Sequence, residues 1–174
     1  MKKQIKIATL LAWLYSACAW STPQVLDELL YEGQTRPILE FPLSDYFERQ
    51  QSYPKIFSAE GIQTSANWRG HQAKWEIREG ALYLTAVEKL YGDPRDSKTL
   101  EWKDITSRVF PDRDLPMPAS WYTGVIRIGD GKQLECLPVG IDIYEREIHI
   151  RLKEGRVTGV KVHPNKEEPA MPCK

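Results

Sequence analysis

The segment Ile148-His149-Ile150-Arg151-Leu152-Lys153 alternates strictly between apolar and polar residues, and the turn Glu154-Gly155-Arg156 follows it. Such alternation indicates a β-strand with one buried and one solvated face. Valines 160 and 162 belong to the returning strand. A three-residue loop pairs Ile150 with Val160 and Ile148 with Val162, whereas a slip of one residue would bury His149 and Arg151. The segment therefore predicts a β-hairpin of defined register.

Two further turns of acidic residues and glycine predict hairpins of the same kind. With Glu79-Gly80 as a two-residue loop, Ile77 pairs with Leu82 and Trp75 pairs with Leu84. The third hairpin is centred on Gly131.

In that third hairpin, Ile128 faces Leu134 and Ile126 faces Cys136. Cys136 is then expected to point inward.

The remaining segments predict shorter elements. Strands are expected at 29–34, 38–41 and 139–143, with a break at 145–147 after the last of them. A short helix is expected at 44–49 with Ser44 as its N-cap, another at 103–110, and a loop at 111–118. The fold class is all-β or β-dominated α+β: a single antiparallel meander, open or closed into a barrel, with one or two short helices.

The first residues resemble an export signal. A basic start at Lys2, Lys3 and Lys6 precedes an apolar run, and Ala17-Cys18-Ala19 supplies the small-x-small pattern of a cleavage site. The run is shorter than the roughly 20 residues of a membrane-spanning helix, so no transmembrane segment is expected. Residues 1–19 are expected to be removed, which makes the protein periplasmic or secreted. The alternative is a lipobox that ends at Cys18 and retains it as a lipid anchor.

Residues 20–174 are expected to form one β-rich domain with a Pro-rich tail from about residue 163. Removing three lysines from 24 basic and 24 acidic residues leaves a formal charge of −3. Because no segment gathers a basic stripe, nucleic acid is not an expected partner.

Cys136 and Cys173 remain after the signal is removed. An even pair in an oxidising compartment predicts one disulfide, which stabilises the chain by about 4 kcal/mol in the loop-entropy model. The alternative is two free thiols, and counting thiols with and without reductant separates the two.

The segment at 65–77, Ser-Ala-Asn-Trp-Arg-Gly-His-Gln-Ala-Lys-Trp-Glu-Ile, resembles the signature of a family of small bacterial proteins of uncharacterised function, with a WRG-(aromatic)-x-A-x-W-E-I core. Tyr31-Glu32-Gly33 and the segment at 120–124 are similar to other parts of that pattern. His71 departs from it, because an aromatic residue such as tyrosine is expected there. The resemblance implies a common β-rich fold and brings no activity with it.

The candidates for catalysis are weak. His71 is the first residue to consider as a general base, but its nearest acid, Glu76, lies about 16 Å away along an extended strand and on the opposite face. A solvent-exposed loop histidine is the favoured interpretation.

His149 and His163 do not suggest a metal site, because the hairpin register places His149 opposite Lys161 and His163 opposite Glu147. The two imidazoles are therefore expected to be separated along the ribbon. No serine-hydrolase elbow and no Gly-rich phosphate loop is present in the sequence, and no cofactor is expected.

Aromatic residues beside arginine are more suggestive of binding. The leading hypothesis is therefore an exported, non-enzymatic binding module of the bacterial envelope with a protein partner, such as an inhibitor or a toxin-immunity protein. The alternatives are an envelope hydrolase that uses His71 and a carrier of a small ligand. The candidate binding residues are Trp68, Arg69, His71, Tyr83, Trp121 and Tyr122.

Overall fold

The computed structural model describes residues 24–135 and 142–165. The expected signal segment 1–19, both cysteines of the expected disulfide and most of the Pro-rich tail lie outside the described residues. So do residues 139–141 of one expected strand. Within the described part of the chain, no helix is long and apolar enough to cross a membrane.

Strands dominate the structure and form one open, mixed sheet. The strands are β1 (Asp27–Tyr31), β2 (Gln34–Ile38), β3 (Gln72–Arg78), β4 (Ala81–Tyr91), β5 (Glu101–Asp104), β6 (Met117–Pro118), β7 (Gly124–Glu135), β8 (Ile143–Lys153) and β9 (Arg156–Pro164). Three short helices accompany them: α1 (Pro42–Gln50), α2 (Ile56–Ala59) and α3 (Thr106–Val109).

The strand order is β2-β1-β3-β4-β9-β8-β7, and β5 and β6 pair with β4 beside this path. The expected β-dominated fold with short helices is confirmed in its open form. One pair, β1 with β3, is parallel, so the sheet is not antiparallel throughout.

The β3–β4 hairpin has the predicted register, with Trp75 opposite Leu84 and Ile77 opposite Leu82. Both loop residues, Glu79 and Gly80, have positive φ angles of 53° and 71°. Two consecutive positive φ values define the turn whose twist matches that of paired strands. The prediction for this hairpin is confirmed.

The β8–β9 hairpin also pairs Ile150 with Val160 and Ile148 with Val162, as predicted. Its loop is one residue shorter than expected, because Lys153 already pairs with Arg156. A bulge restores the register: the pairing moves from Leu152–Val157 to Arg151–Gly159 and leaves Thr158 unpaired.

The predicted hairpin at Gly131 is wrong. β7 runs without a turn from Gly124 to Glu135 and pairs along its length with β8, which places Ile126 opposite Ile150 and Ile128 opposite Ile148. Gly131 has a φ of 82°, and the register of the β7–β8 pair shifts between residues 130 and 133. The positive φ of Gly131 therefore accompanies an irregularity within β7, and the chain does not reverse there.

Several expected boundaries also change. The residues 145–147 lie inside β8 and do not interrupt it. The strand expected at 29–34 ends at Tyr31, because Glu32 and Gly33 form a tight turn into β2.

The expected helices also differ. Helix α1 begins at Pro42, so Ser44 is inside the helix and is not its cap. Only 106–109 of the second expected helix is helical, and 101–104 is strand. Within the expected loop, Met117–Pro118 pairs with β4.

One hydrophobic cluster forms the core, and it draws on the early strands, the short helices and β7–β8 alike. Its fully buried members include Leu29, Leu43, Leu84, Ile126 and Ile150. Side chains from β2 and the residues after it also contact β7, so the two ends of the strand order are connected. Arg36 of β2 donates through Nη1 to the carbonyl oxygen of Gly129 in β7 (2.8 Å), and Glu40 accepts from the backbone N–H of Arg127 (3.2 Å).

Candidate functional site

Arg69 of the Trp-Arg-Gly-His segment (68–71) contacts a buried carboxylate, Asp27. The parallel pairing of β1 with β3 brings Asp27 close to the start of β3. Its Oδ1 accepts from Arg69 Nη1 (2.8 Å) and from the backbone N–H of Ala73 (3.1 Å). Its Oδ2 accepts from Trp75 Nε1 (3.1 Å). Burial raises the pKa of Asp27, and the charge of Arg69 together with these hydrogen bonds opposes that rise.

Arg69 is held on every side. Besides its ion pair with Asp27, Nη2 donates to the carbonyl oxygen of Val25 (2.8 Å), and the guanidinium carbon lies 3.8 Å from the centre of the Phe41 ring. Only 7% of its surface is exposed. Its contacts fasten the segment before β1 to the start of β3, which is a structural role.

Gly70 and Lys89 make a second buried contact. Gly70 has a φ of 73°, and a Cβ at this position would lie 2.1 Å from the carbonyl oxygen of Phe57. Lys89 is fully buried, and its Nζ donates to the carbonyl oxygens of Phe57 (2.8 Å) and Gly70 (2.9 Å). Burial lowers the pKa of this lysine. The backbone approach that requires glycine thus also positions the two acceptors of a buried amine.

His71 is fully buried and stacks on Phe57, with ring centres 4.1 Å apart. Its Nδ1 lies 3.0 Å from the carbonyl oxygen of Arg69, so Nδ1 carries the proton and donates. Its Nε2 is buried without a hydrogen-bond partner among the described residues. Burial, reinforced by the charge of Arg69, lowers the pKa of His71 to about 3. The expectation of a solvent-exposed loop histidine is wrong.

The other candidate binding residues differ in exposure. Trp68 is 63% exposed. Tyr83 is half-buried, with the guanidinium of Arg78 5.1 Å from its ring centre. Trp121 is half-buried, and its Nε1 donates to the carbonyl oxygen of Pro42 (2.8 Å). Tyr122 is buried, and burial raises its pKa. Arg69, His71 and Tyr122 are therefore withdrawn from solvent, and only Trp68, Tyr83 and Trp121 of the six present surface to a partner.

The histidine pair on β8 and β9 has the predicted cross-strand neighbours, His149 opposite Lys161 and His163 opposite Glu147. The two imidazoles are nevertheless close, with ring centres 4.2 Å apart, and His149 Nε2 lies 2.9 Å from a carboxylate oxygen of Glu147. The expectation that the rings are separated along the ribbon is wrong. The described residues contain no cluster of three His, Cys, Asp or Glu side chains able to hold a metal ion.

The sequence reasoning missed the outer edge of β9. This strand pairs with β4 at its first residue, where Ala81 lies opposite Arg156, and no later pair with β4 exists among the described residues. Pairing with β8 continues to Pro164. Beyond Val157 every residue of β9 is exposed, including Val160 (44%) and Val162 (54%).

Backbone N–H and C=O groups alternate in direction along β9, and this alternation identifies the groups at its outer edge. Val157 N–H donates to Gly80 in the direction of β4, and Asn165 N–H donates to Glu145 of β8. Because backbone groups alternate in direction along a strand and Thr158 is the bulged residue, Lys161 faces β8. The N–H and C=O groups of Val160 and Val162 therefore point outward, away from β8.

The same hairpin carries a surplus of positive charge. Residues 143–164 contain five lysines and arginines against three glutamates, and four of the five cations lie within residues 148–165, where Glu154 is the one acid. In the described part of the chain none of the four forms an ion pair, and all four are exposed. They are Arg151, Lys153, Arg156 and Lys161.

Comparisons with models of known protein families, with curated proteins and with solved structures found no match to this chain. A function for this chain therefore has to be inferred from the geometry of the described residues.

Proposed function

We propose that the mature chain is an exported, non-enzymatic protein-binding module of the bacterial envelope. Its partner protein contributes an extended segment that alternates acidic and apolar residues, and this segment adds to the sheet along β9. Binding in this way blocks the segment for other uses, as an inhibitor or a toxin-immunity protein does. Export rests on the signal-like residues 1–19.

The unpaired edge of β9 carries the proposal. An edge strand with outward N–H and C=O groups is a template for a further strand, and proteins ordinarily blunt such edges. The free edge of β2 contains Pro37, and that of β7 is contacted by Arg36 and Glu40. Between residues 159 and 163, β9 has no proline, and no described side chain from another strand covers its outer edge as Arg36 and Glu40 cover that of β7. It exposes two valines there instead.

The side chains on the two faces of β9 determine which residues the added strand should carry. Val160 and Val162 share the inner face of the hairpin with Ile148 and Ile150, so apolar side chains of the added strand meet them there. Lys161 lies on the outer face, where acidic side chains are favoured. A second copy of this chain fits less well, because an antiparallel β9–β9 contact brings Lys161 and its neighbouring cations against themselves.

Catalysis has less support. His71 is a neutral base enclosed by Phe57 and the backbone, and it does not line any of four prominent clefts formed by the described residues. A base needs its proton donor within hydrogen-bond reach.

The test is an NMR titration of ¹⁵N-labelled protein, residues 20–174, with a short synthetic peptide that alternates valine and glutamate. We expect chemical-shift changes concentrated at residues 158–164. A peptide of the same composition in two blocks, and one that alternates valine and lysine, should bind much more weakly. Equal binding of all three peptides, or shifts elsewhere, contradicts the proposal.

Proline variants test whether peptide binding depends on the backbone edge of β9. Val162→Pro removes one outward N–H and no bond to β8, because Val162 faces away from that strand. The matched control is Val125→Pro at the exposed edge of β7. We expect at least about tenfold weaker peptide binding for Val162→Pro, corresponding to the lost hydrogen bond and valine contact, and unchanged binding for Val125→Pro. Unchanged binding by a folded Val162→Pro protein refutes strand addition at β9.

A further inference from the structure

A cleft of about 330 Å³ lies between α1 and the chain that runs from Arg113 to Trp121. None of its lining residues belongs to β8 or β9. The side chains that matter for its chemistry are Tyr46, Arg49, Gln50, Arg113, Ser120 and Trp121.

Its lining contains cations without carboxylates. Neither Arg49 nor Arg113 makes a side-chain hydrogen bond or ion pair to a described residue, and no described aspartate or glutamate lines the cleft. Asp45, one helical turn before Arg49, interacts with it only through charge at longer range. The cleft between β2 and β7 is different, because there Asp130 neutralises Arg36 (3.3 Å) and Arg146 (2.8 Å).

The aromatic side of the cleft is held in place before any ligand arrives. Trp121 donates through Nε1 to the carbonyl oxygen of Pro42 (2.8 Å) and meets the ring of Tyr46 edge-on at 4.7 Å and 61°. Both rings line the cleft. A ring fixed by contacts on one side loses little conformational freedom when a ligand packs against it.

Hydroxyl and amide groups complete a set of donors. The side chains of Gln50 and Ser120 are exposed beside the two arginines, and they can donate to oxygen atoms. Guanidinium groups bind carboxylate and phosphate oxygens through paired N–H bonds. The volume falls within the range of small-molecule sites.

We infer that this cleft is a binding site for a small molecule that carries a carboxylate or phosphate group on an aromatic or aliphatic body. Arg49 and Arg113 bind the oxygens of the anionic group, and Tyr46 and Trp121 contact the body. The site does not depend on strand addition at β9, so the chain has two separate recognition surfaces.

The test is a titration of ¹⁵N-labelled protein with four probes: phenyl phosphate, benzoate, inorganic phosphate and phenol. The indole N–H signal of Trp121 reports on the aromatic side. We expect saturable shifts of this signal with phenyl phosphate or benzoate, and the stronger of the two identifies the anion. Phenol and inorganic phosphate each lack one half of the ligand and should bind at least about tenfold more weakly, a difference of 1.4 kcal/mol.

A charge-matched pair of double variants completes the test. Arg49→Gln with Arg113→Gln should weaken binding of the better probe at least about tenfold. Lys55→Gln with Lys98→Gln removes the same charge at two exposed positions outside the cleft and outside β9, and it should leave that binding unchanged. Three results would overturn the inference. The first is an equal loss of binding in both double variants, and the second is that inorganic phosphate binds as tightly as phenyl phosphate. The third is a Trp121 signal that does not shift. If the first double variant does not fold, the two single variants are compared in the same way.

Discussion

Acid is expected to destabilise this protein through His71. Burial lowers the pKa of the folded-state imidazole to about 3, from an ordinary value of 6.5. The unfolded chain therefore takes up a proton as the pH falls below about 6.5, whereas the folded chain does not until about pH 3. The stability contributed by the neutral, buried imidazole is full above the unfolded pKa and is lost as the pH falls.

The size of the effect depends on the width of this window. Each pH unit inside it costs about 1.4 kcal/mol for one proton. Between pH 7 and pH 5 the free energy of unfolding should fall by about 2 kcal/mol through His71 alone, because about 1.5 units of that interval lie below the unfolded pKa. Nε2 is buried without a hydrogen-bond partner among the described residues, and the charges of Arg69 and Lys89 further disfavour protonation of the imidazole.

Urea unfolding followed by tryptophan fluorescence at pH 7 and pH 5 measures this difference. His71→Phe keeps a ring against Phe57 and cannot titrate, and His71→Gln removes the titration with a different packing cost. Both variants should lose about 2 kcal/mol less than the unaltered protein between the two pH values, whatever their absolute stabilities. If all three proteins share one pH dependence, the reasoning about the buried imidazole is refuted.

Two further substitutions test the contacts around the Trp-Arg-Gly-His segment. Asp27→Asn leaves Arg69 without its counter-charge and should lower the free energy of unfolding, measured in urea, by about 3–5 kcal/mol. Glu60→Gln removes the acid of an exposed ion pair with Arg108 and should cost within about 1 kcal/mol. Similar costs for both variants contradict the assigned burial of the Asp27–Arg69 pair. Gly70→Ala places its Cβ 2.1 Å from a carbonyl oxygen, so its thermal midpoint should fall well below that of Gly33→Ala. That control has a φ of 76° and open space around it, and it bears only the left-handed backbone cost of about 1–2 kcal/mol; equal midpoints would contradict the close approach.

The sequence predicts hairpins where the chain itself specifies the partner. Around Glu79-Gly80 the two strands are adjacent in sequence, and only one register buries the apolar face, so the prediction holds. Gly131 shows the limit of the same reasoning. A positive φ at glycine suits a strand irregularity as well as a turn, and the choice between them depends on β8, which lies farther along the chain.

The parallel contact of β1 with β3 has no local signal, because alternation identifies a buried face but not the neighbouring strand. The partner of Arg69 was therefore not predictable, since Asp27 lies 42 residues away. Lys89 was missed for a related reason. Its two acceptors are backbone carbonyls, which every residue has, so no side chain in the sequence marks the place where a lysine is buried.

The exposed edge of β9 was missed for the opposite reason. Alternation gives Val160 and Val162 the pattern of buried residues, and their cross-strand partners Ile148 and Ile150 are in fact buried. Burial of the valines requires a second layer or a neighbouring strand, and β4 leaves β9 after Arg156. A periodic pattern reports which face is apolar, not whether anything covers it.

The order of the strands divides the sheet into two parts that are each continuous in the sequence. Residues 27–91 supply β1 to β4, and residues 124–164 supply β7 to β9. The two parts meet where Ala81 lies opposite Arg156, at the contacts that Arg36 and Glu40 make with β7, and across the shared core.

The connection between the parts includes residues 111–116, all of which are exposed. Covalent continuity there contributes little beyond holding the parts at high local concentration. A chain cut within this segment should therefore remain a two-fragment complex that elutes as one species, and fragments made separately should reconstitute the fold on mixing.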